Sequence, residues 1–446
     1  MTDLVALSFK EEALKSMNIP VQEYFLPKQI LNASLQGPGS IPRELLLYGL
    51  QLMISEKGFN YKGQYFASLD AHNSPVETGF ENSDWHRMQF VGCLLGGAIG
   101  DAFGAPVEFM KRSAILQQYG NNGIEDFAEA YGKVGAITDD TQMTLFTTEG
   151  LLRAWVKGCF TGVTSELGCI GHAYQRWYQT QGHTSPRNLD VTTDGYLWEQ
   201  TELHSQRAPG NTCLSALAEM TSFTAPAQNN SKGCGGVMRV APIGLYCWRL
   251  KNQFTVEDCF ALGADAARLT HGHPTGYLAS GAFAAIIYQI LDGCSLASAC
   301  MSVLDILGKM RCHDETTLKI ATAIKLSRDP MPSYRAIEYL GEGWIAEEAL
   351  AISIYCVLQA SSFKELMSMS VSHDGDSDST GAIAGNIWGA LYGFRDFPTQ
   401  WVENVELEDR INEIACDLYD FPLWDIGADS QNTDLNNIAQ TRYPGT

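Results

Sequence analysis

Gly92, Gly96, Gly100 and Gly104 recur every fourth residue, and Gly381, Gly385, Gly389 and Gly393 do the same far downstream. Residues four apart share one face of a helix, so each series predicts a helix with a smooth groove that admits another helix closely. An interior Gly costs about 1 kcal/mol relative to Ala. Two ladders of this kind therefore need an offsetting gain, and close packing at the centre of a domain supplies one. Some of these glycines are expected at helix ends. Gly104, just before Pro106, is the clearest of them.

The rest of the chain agrees with a helical reading. Asp139 or Asp140 can cap a helix through "TQMTLFTTEGLLRAWVKG", and Thr255 opens "VEDCFALGADAARLTH". Ser362 with Glu365 forms a capping-box pattern before "LMSMS". Stretches 275–291, 296–310 and 345–360 have helical length, as does "VELEDRINEIACDLY" within an acidic stretch, 403–429. Convincing strand–turn–strand patterns are missing and nothing repeats at a fixed period. The expected fold class is all-α. Residues 1–85 differ in texture: a "QGPGSIP" break, a Leu-rich helical pattern from Pro42 to Glu56, and the polar run "DAHNSPVETGFENSD". The expected division is an N-terminal extension (1–85), a catalytic domain (86–430) and a C-terminal tail (431–446).

With 45% hydrophobic and 18% charged residues, a substantial core is expected. A net charge of −21 argues against general affinity for nucleic acid or acidic membrane surfaces. Asp101 interrupts the apolar stretch 88–107, which excludes it as a membrane span. The 12 cysteines form no CxxC pair, and the first residues lack a basic segment followed by an apolar run. Reduced thiols in a cytoplasm are the expectation.

Chemistry concentrates in two acidic clusters. One is "AITDDTQM", with Thr138, Asp139 and Asp140; the other is "HDGDSDST", with Asp374, Asp376 and Asp378. Each precedes a helix, and one Asp suffices for a cap. Several carboxylates packed beside an apolar helix repel one another and resist burial unless cations compensate. The candidate donors are hard oxygens, including Ser379 and Thr380, which suits Mg, Ca or Mn and disfavours zinc. The second cluster imitates an EF-hand at its start, but Ser379 and Gly385 stand where Gly and Glu are required. The site must therefore be completed from elsewhere in the chain; the first cluster is the natural partner, and together they could hold two ions about 3.5–4 Å apart. "KGCGGVMRVAP" lacks the GK[ST] of a P-loop, yet its backbone could cradle a diphosphate or simply turn. His271 and His273 lack the soft neighbours of a zinc site.

Five segments, "GCLLGGAIGDAFGAPVEF" (92–109), "ITDDTQMTL" (137–145), "GCGGVMRVAPIGL" (233–245), "LTHGHPTGYLASGAFAAII" (269–287) and "HDGDSDSTGAIAGNIWGALYG" (373–393), occur in the order seen in the ADP-ribosylglycohydrolases, which residues 86–395 resemble. The resemblance implies a compact, orthogonally packed all-α domain with two Mg2+ (Mn2+ as a substitute) that hydrolyses the bond between ADP-ribose and a protein side chain. By matching motif, Thr138, Asp139, Asp140, Asp376, Asp378 and Ser379 would be metal ligands, with Asp374 outside the set. Gly233, Cys234, Gly235, Gly236, Met238 and His271 would contact substrate. Asp378 or Asp140 would activate water, and Glu108 would act as acid or relay. Members often carry Asn where this chain has Cys234. The wording "GDSDST" and "THGHPTGYL" looks most like members that release ADP-ribose from arginine.

The implied partner is a mono-ADP-ribosylated protein. Some bacterial members neutralise ADP-ribosyltransferase toxins, and residues 1–85, with the arm-like "VQEYFLPKQILNASL" (21–35), could bind one. The alternatives are a non-catalytic binder or inhibitor of such a toxin, and a metal-dependent phosphohydrolase.

Overall fold

The two glycine ladders close on each other. In the computed structural model, a helix Asn82–Gly104 (α1) lies antiparallel against a later helix, Ser377–Tyr392. A methyl group on Gly92 would come within 2.8 Å of the Gly393 Cα, and one on Gly96 within 2.5 Å of the Gly385 carbonyl oxygen. One on Gly100 would collide with the Gly381 carbonyl, and one on Gly104 with the Asp378 backbone. Backbone therefore packs on backbone along the whole seam, which is the gain that offsets the weak helix propensity of glycine. Gly104 ends its helix as expected, and Gly393 caps the other with φ 68°.

The structure describes residues 82–445 together with four short strands, Leu4–Leu7 (β1), Tyr24–Pro27 (β2), Phe59–Tyr61 (β3) and Gln64–Phe66 (β4). These strands form two antiparallel pairs, β1–β2 and β3–β4. The expected helix over 42–56 and most of the arm-like stretch 21–35 lie outside the described residues. By internal contacts the chain forms two units, Met1–Trp85 and His86–Thr446.

The second unit is helical. After α1 come Arg112–Tyr119 (α2), the small hairpin Glu129–Ala130 (β5) and Lys133–Val134 (β6), and Asp139–Thr161 (α3). Then follow Glu166–Thr180 (α4), Asn211–Ala218 (α5), Ala241–Arg249 (α6), Val256–Arg268 (α7) and Pro274–Leu291 (α8). Leu296–Leu307 (α9), Asp314–Leu326 (α10), Ser333–Leu340 (α11), Ala346–Gln359 (α12) and Phe363–Val371 (α13) precede the seam helix Ser377–Tyr392 (α14). Thr399–Asn404 (α15), Glu408–Asp420 (α16) and Thr433–Arg442 (α17) complete it. The all-α expectation holds. α8 is apolar on nearly every face and is buried along most of its length, as a helix with no polar side must be.

Local signals fared unevenly. Thr255 and Asp258 form a full capping box at α7. At α3 the cap is Thr138, whose hydroxyl accepts from the Asp140 N–H, so Asp139 and Asp140 stand inside the first turn instead. Ser362 caps α13, yet the Glu365 carboxylate turns back to Ser361. In the stretch read as a C-terminal tail, α17 leads to Tyr443, which is buried and donates its hydroxyl to Asp417.

Candidate metal centre

Because α1 and α14 run antiparallel with Gly104 against Asp378, the C-terminal end of α1 meets the N-terminal end of α14. Asp101 then ties in a third helix end. Its carboxylate is fully buried and accepts from the N–H groups of Thr138 (2.9 Å) and Thr141 (3.1 Å), and from the Thr141 hydroxyl (2.5 Å). The start of α3 is thereby fixed beside the start of α14. Two helix N-termini face the junction, and their dipoles favour negative charge there.

The two acidic clusters meet at this junction. Ser379 Oγ donates to Asp140 Oδ2 at 2.8 Å, across 239 positions of sequence. The Ser379 N–H donates to Asp378 at 3.0 Å and to Asp376 at 3.3 Å. Asp139 accepts from the Gly210 N–H at 3.3 Å. Thr138, Asp139, Asp140, Asp376, Asp378 and Ser379 are all buried. Glu108 joins them from the turn after α1: it is 7% exposed, and its Oε2 has no hydrogen-bond partner.

Among the described residues, no ion pair joins an arginine or lysine to Asp101, Glu108, Asp139, Asp140, Asp376 or Asp378. Burial, then the charge of Asp378, pushes the Asp101 carboxyl up to about 7. Burial, then Asp378, Asp376 and Asp139, pushes Glu108 up to about 11. Asp139, Asp140 and Asp376 are raised well above the usual carboxylate range for the same two reasons. Asp378 is also raised by burial, but hydrogen bonds from Asp376, the Ser379 N–H and Thr138 oppose the rise. Asp378 is thus the carboxylate best supported as an anion, and its charge is the one its neighbours feel.

Among the described residues, no three His, Cys, Asp or Glu side chains already converge tightly enough to grip an ion. The acids are instead turned onto the nearest donors: Asp140 onto Ser379, and Asp376 onto the Cys234 thiol at 2.6 Å. The donor set nevertheless fits a hard divalent cation. It is rich in carboxylate and hydroxyl oxygen, buried, short of positive charge, and contains an orphaned carboxyl oxygen.

Other expected residues fall around this cluster. Gly233–Gly236 forms a tight turn beside it, with Cys234–Gly236 a single 3-10 turn and Gly233 bridged to Ile345. His271 lies beneath the turn rather than in the open. It is 1% exposed, its Nδ1 is 2.9 Å from the Thr270 hydroxyl, and burial, then Arg239, lowers it to about 3. A neutral imidazole supports the turn here. Met238 is buried in the core, its carbonyl accepting from Thr144. His273 caps α8. Asp374 faces away from the acids: it accepts from the Arg112 N–H at 2.6 Å and pairs with Lys111 at 3.3 Å. Asp101 was missed as a site residue, although an Asp in an otherwise apolar glycine helix is the signal that could have found it.

A sequence model described as ADP-ribosylglycohydrolase matches residues 83–425. The chain is 26% identical over 324 residues to an ADP-ribosyl-[dinitrogen reductase] glycohydrolase of Rhodospirillum rubrum, covering 71% of this chain and 90% of the relative. It is 25% identical to ADP-ribosylhydrolase ARH3 of Bos taurus, covering 74% and 92%. It is 24% identical to ADP-ribosylarginine hydrolase Tri1 of Pseudomonas putida, covering 74% and 77%. A solved structure described as an ADP-ribosylglycohydrolase-related protein complex shares the fold, with TM-score 0.50 at 23% identity over 75% of this chain and 98% of that one.

Proposed function

This chain belongs to the ADP-ribosylglycohydrolase family, and from that premise we propose that it hydrolyses the bond joining ADP-ribose to arginine in proteins, with magnesium held by the buried acids. Hydrolysis of ADP-ribose linkages follows from the family. The arginine acceptor is supported by the names of relatives from Pseudomonas putida and Serratia proteamaculans, 24% and 21% identical. Thr138, Asp139, Asp140, Asp376, Asp378 and Ser379 would hold the metal. Bound there, magnesium supplies Lewis-acid polarisation of substrate oxygens and favours deprotonation of water.

The chain's own groups divide the remaining work. Glu108 is buried beside the acids with its Oε2 unpartnered, and burial favours the protonated form of its carboxyl. A guanidine leaves poorly without protonation, so Glu108 donates to the departing nitrogen. Asp378, whose hydrogen bonds favour its ionised form, or Asp140 beside it, accepts the proton of the attacking water. In the turn at Gly233, Cys234, Gly235 and Gly236, the Gly233 and Cys234 N–H groups are engaged by Ser231 and the Trp344 carbonyl, so the Gly235 and Gly236 N–H groups face the diphosphate, with His271 bracing the turn from below.

The bond from Ser379 to Asp140 carries this reading, because it joins the two clusters around one uncompensated centre. The test is incubation with a protein mono-ADP-ribosylated on arginine, with and without magnesium, and assay of released ADP-ribose. Magnesium-dependent release is expected. No release from arginine, with release from a serine-linked substrate, would reassign the acceptor.

A further inference from the structure

Backbone anchors hold Cys234 and Asp376 close together. The Cys234 N–H donates to the Trp344 carbonyl at 3.2 Å, and the Asp376 N–H donates to the Glu342 carbonyl at 2.8 Å. Between those two anchors Gly343 takes φ 85°, a left-handed conformation that glycine adopts freely. The segment Glu342–Trp344 thus holds Cys234 and Asp376 side by side, and Cys234 Sγ donates to Asp376 Oδ2 at 2.6 Å. Asp140 and Ser379 are its other polar neighbours. A second feature at the same junction asks for a ligand: Glu108, nine-tenths buried among Asp378, Asp376, Asp139 and Asp101, with Oε2 unpartnered.

We propose that Cys234 is a sulfur ligand of the divalent-cation centre, so that the centre takes borderline and soft ions such as cobalt(II) and cadmium as well as magnesium. The inference rests on the metal reading above. On binding such an ion the S–H bond breaks, a sulfur–metal bond forms, and the proton passes to solvent, with no change of oxidation state. Magnesium has little affinity for sulfur and stays on the oxygens, whereas a soft ion is drawn to the thiolate side. Cys213, which packs against Gly235, directs its thiol to the Gly235 carbonyl rather than to an acid of the cluster.

The test uses the full-length, metal-free protein with Cys234→Ser and Cys234→Asn. Cobalt(II) titration is followed by near-ultraviolet absorption for a thiolate-to-cobalt charge-transfer band, and cadmium and magnesium affinities are measured calorimetrically. The wild type is expected to show the band and both variants to lose it. Cadmium affinity in the variants should fall by about tenfold or more, with magnesium affinity changed by less than about threefold. Circular dichroism establishes that the variants are folded. Magnesium binding with no band, or a band that survives in both variants, overturns the role of Cys234 alone. Absence of binding by any of the three ions overturns the metal reading itself.

Discussion

Helix α3 carries two buried charged assemblies, and they are built on opposite terms. Near its middle, Glu149 is fully buried but lies 2.9 Å from Arg176 and 3.4 Å from Arg153, and it also accepts from the Leu197 N–H. Burial alone would raise its carboxyl; Arg153 and Arg176 outweigh burial and hold it below the usual carboxylate range. At the start of the same helix, Asp139 and Asp140 are equally buried with acids for neighbours and no cation beside them. Among the described residues, one buried acid is neutralised by two arginines while six others have no ion pair. The difference fits the first assembly as part of the scaffold and agrees with the proposal that the second takes its positive charge from a bound cation.

The contrast can be attacked from either end. The largest effect is expected for Glu108→Gln, which removes the proton held at the mouth of the acid cluster. Its kcat for ADP-ribose release should drop by about 10²–10⁴-fold, while calorimetry shows magnesium affinity retained. Next comes Glu149→Gln, which leaves the buried Arg176 guanidinium without its carboxylate while Arg153 keeps Asp194. Denaturant unfolding should show a loss of about 3–5 kcal/mol, with magnesium affinity unaltered in the folded protein. The same carboxyl sets an acid limb. Its folded pKa is depressed, so its stabilisation is complete above the unfolded value of about 4.3 and lost as pH falls through the folded value. Thermal unfolding between pH 5 and 3 should therefore fall less steeply in Glu149→Gln than in wild type. The smallest effect has the opposite sign. Asp140→Asn keeps an acceptor for Ser379 and removes one uncompensated charge, so the metal-free protein should gain on the order of 1 kcal/mol. Destabilisation by both Glu149→Gln and Asp140→Asn would erase the distinction between the two assemblies.

What the sequence disclosed followed from local rules. Glycines four apart must share a helix face, so both ladders were legible, and their collision-close seam gives that pattern its physical reason. Acids crowded before apolar helices were legible because one cap needs one Asp. Asp101 was not, since its role depends on α3 arriving beside α1; in sequence it reads only as an interruption of an apolar stretch. The Glu149–Arg153–Arg176 network was likewise hidden. Arg153 is one helical turn from Glu149, but Arg176 comes from the next helix and the Leu197 N–H from a loop. The cap at α3 was misassigned by one or two residues because Thr and Asp compete for the same role, and Thr138 wins while the acids turn toward α14. His271, implied by the resemblance as a substrate contact, lies buried beneath the glycine turn, a position set by the packing of the segment after α7 that no spacing announces.

Whether the junction of α1, α3 and α14 takes up cations is decided most directly by calorimetric titration of the metal-free full chain with magnesium, alongside Asp139→Ala/Asp140→Ala. Saturable binding by the wild type, lost in the double variant while its circular dichroism stays helical, is the outcome this account predicts. Equal binding by both proteins, or none by the wild type, would contradict it.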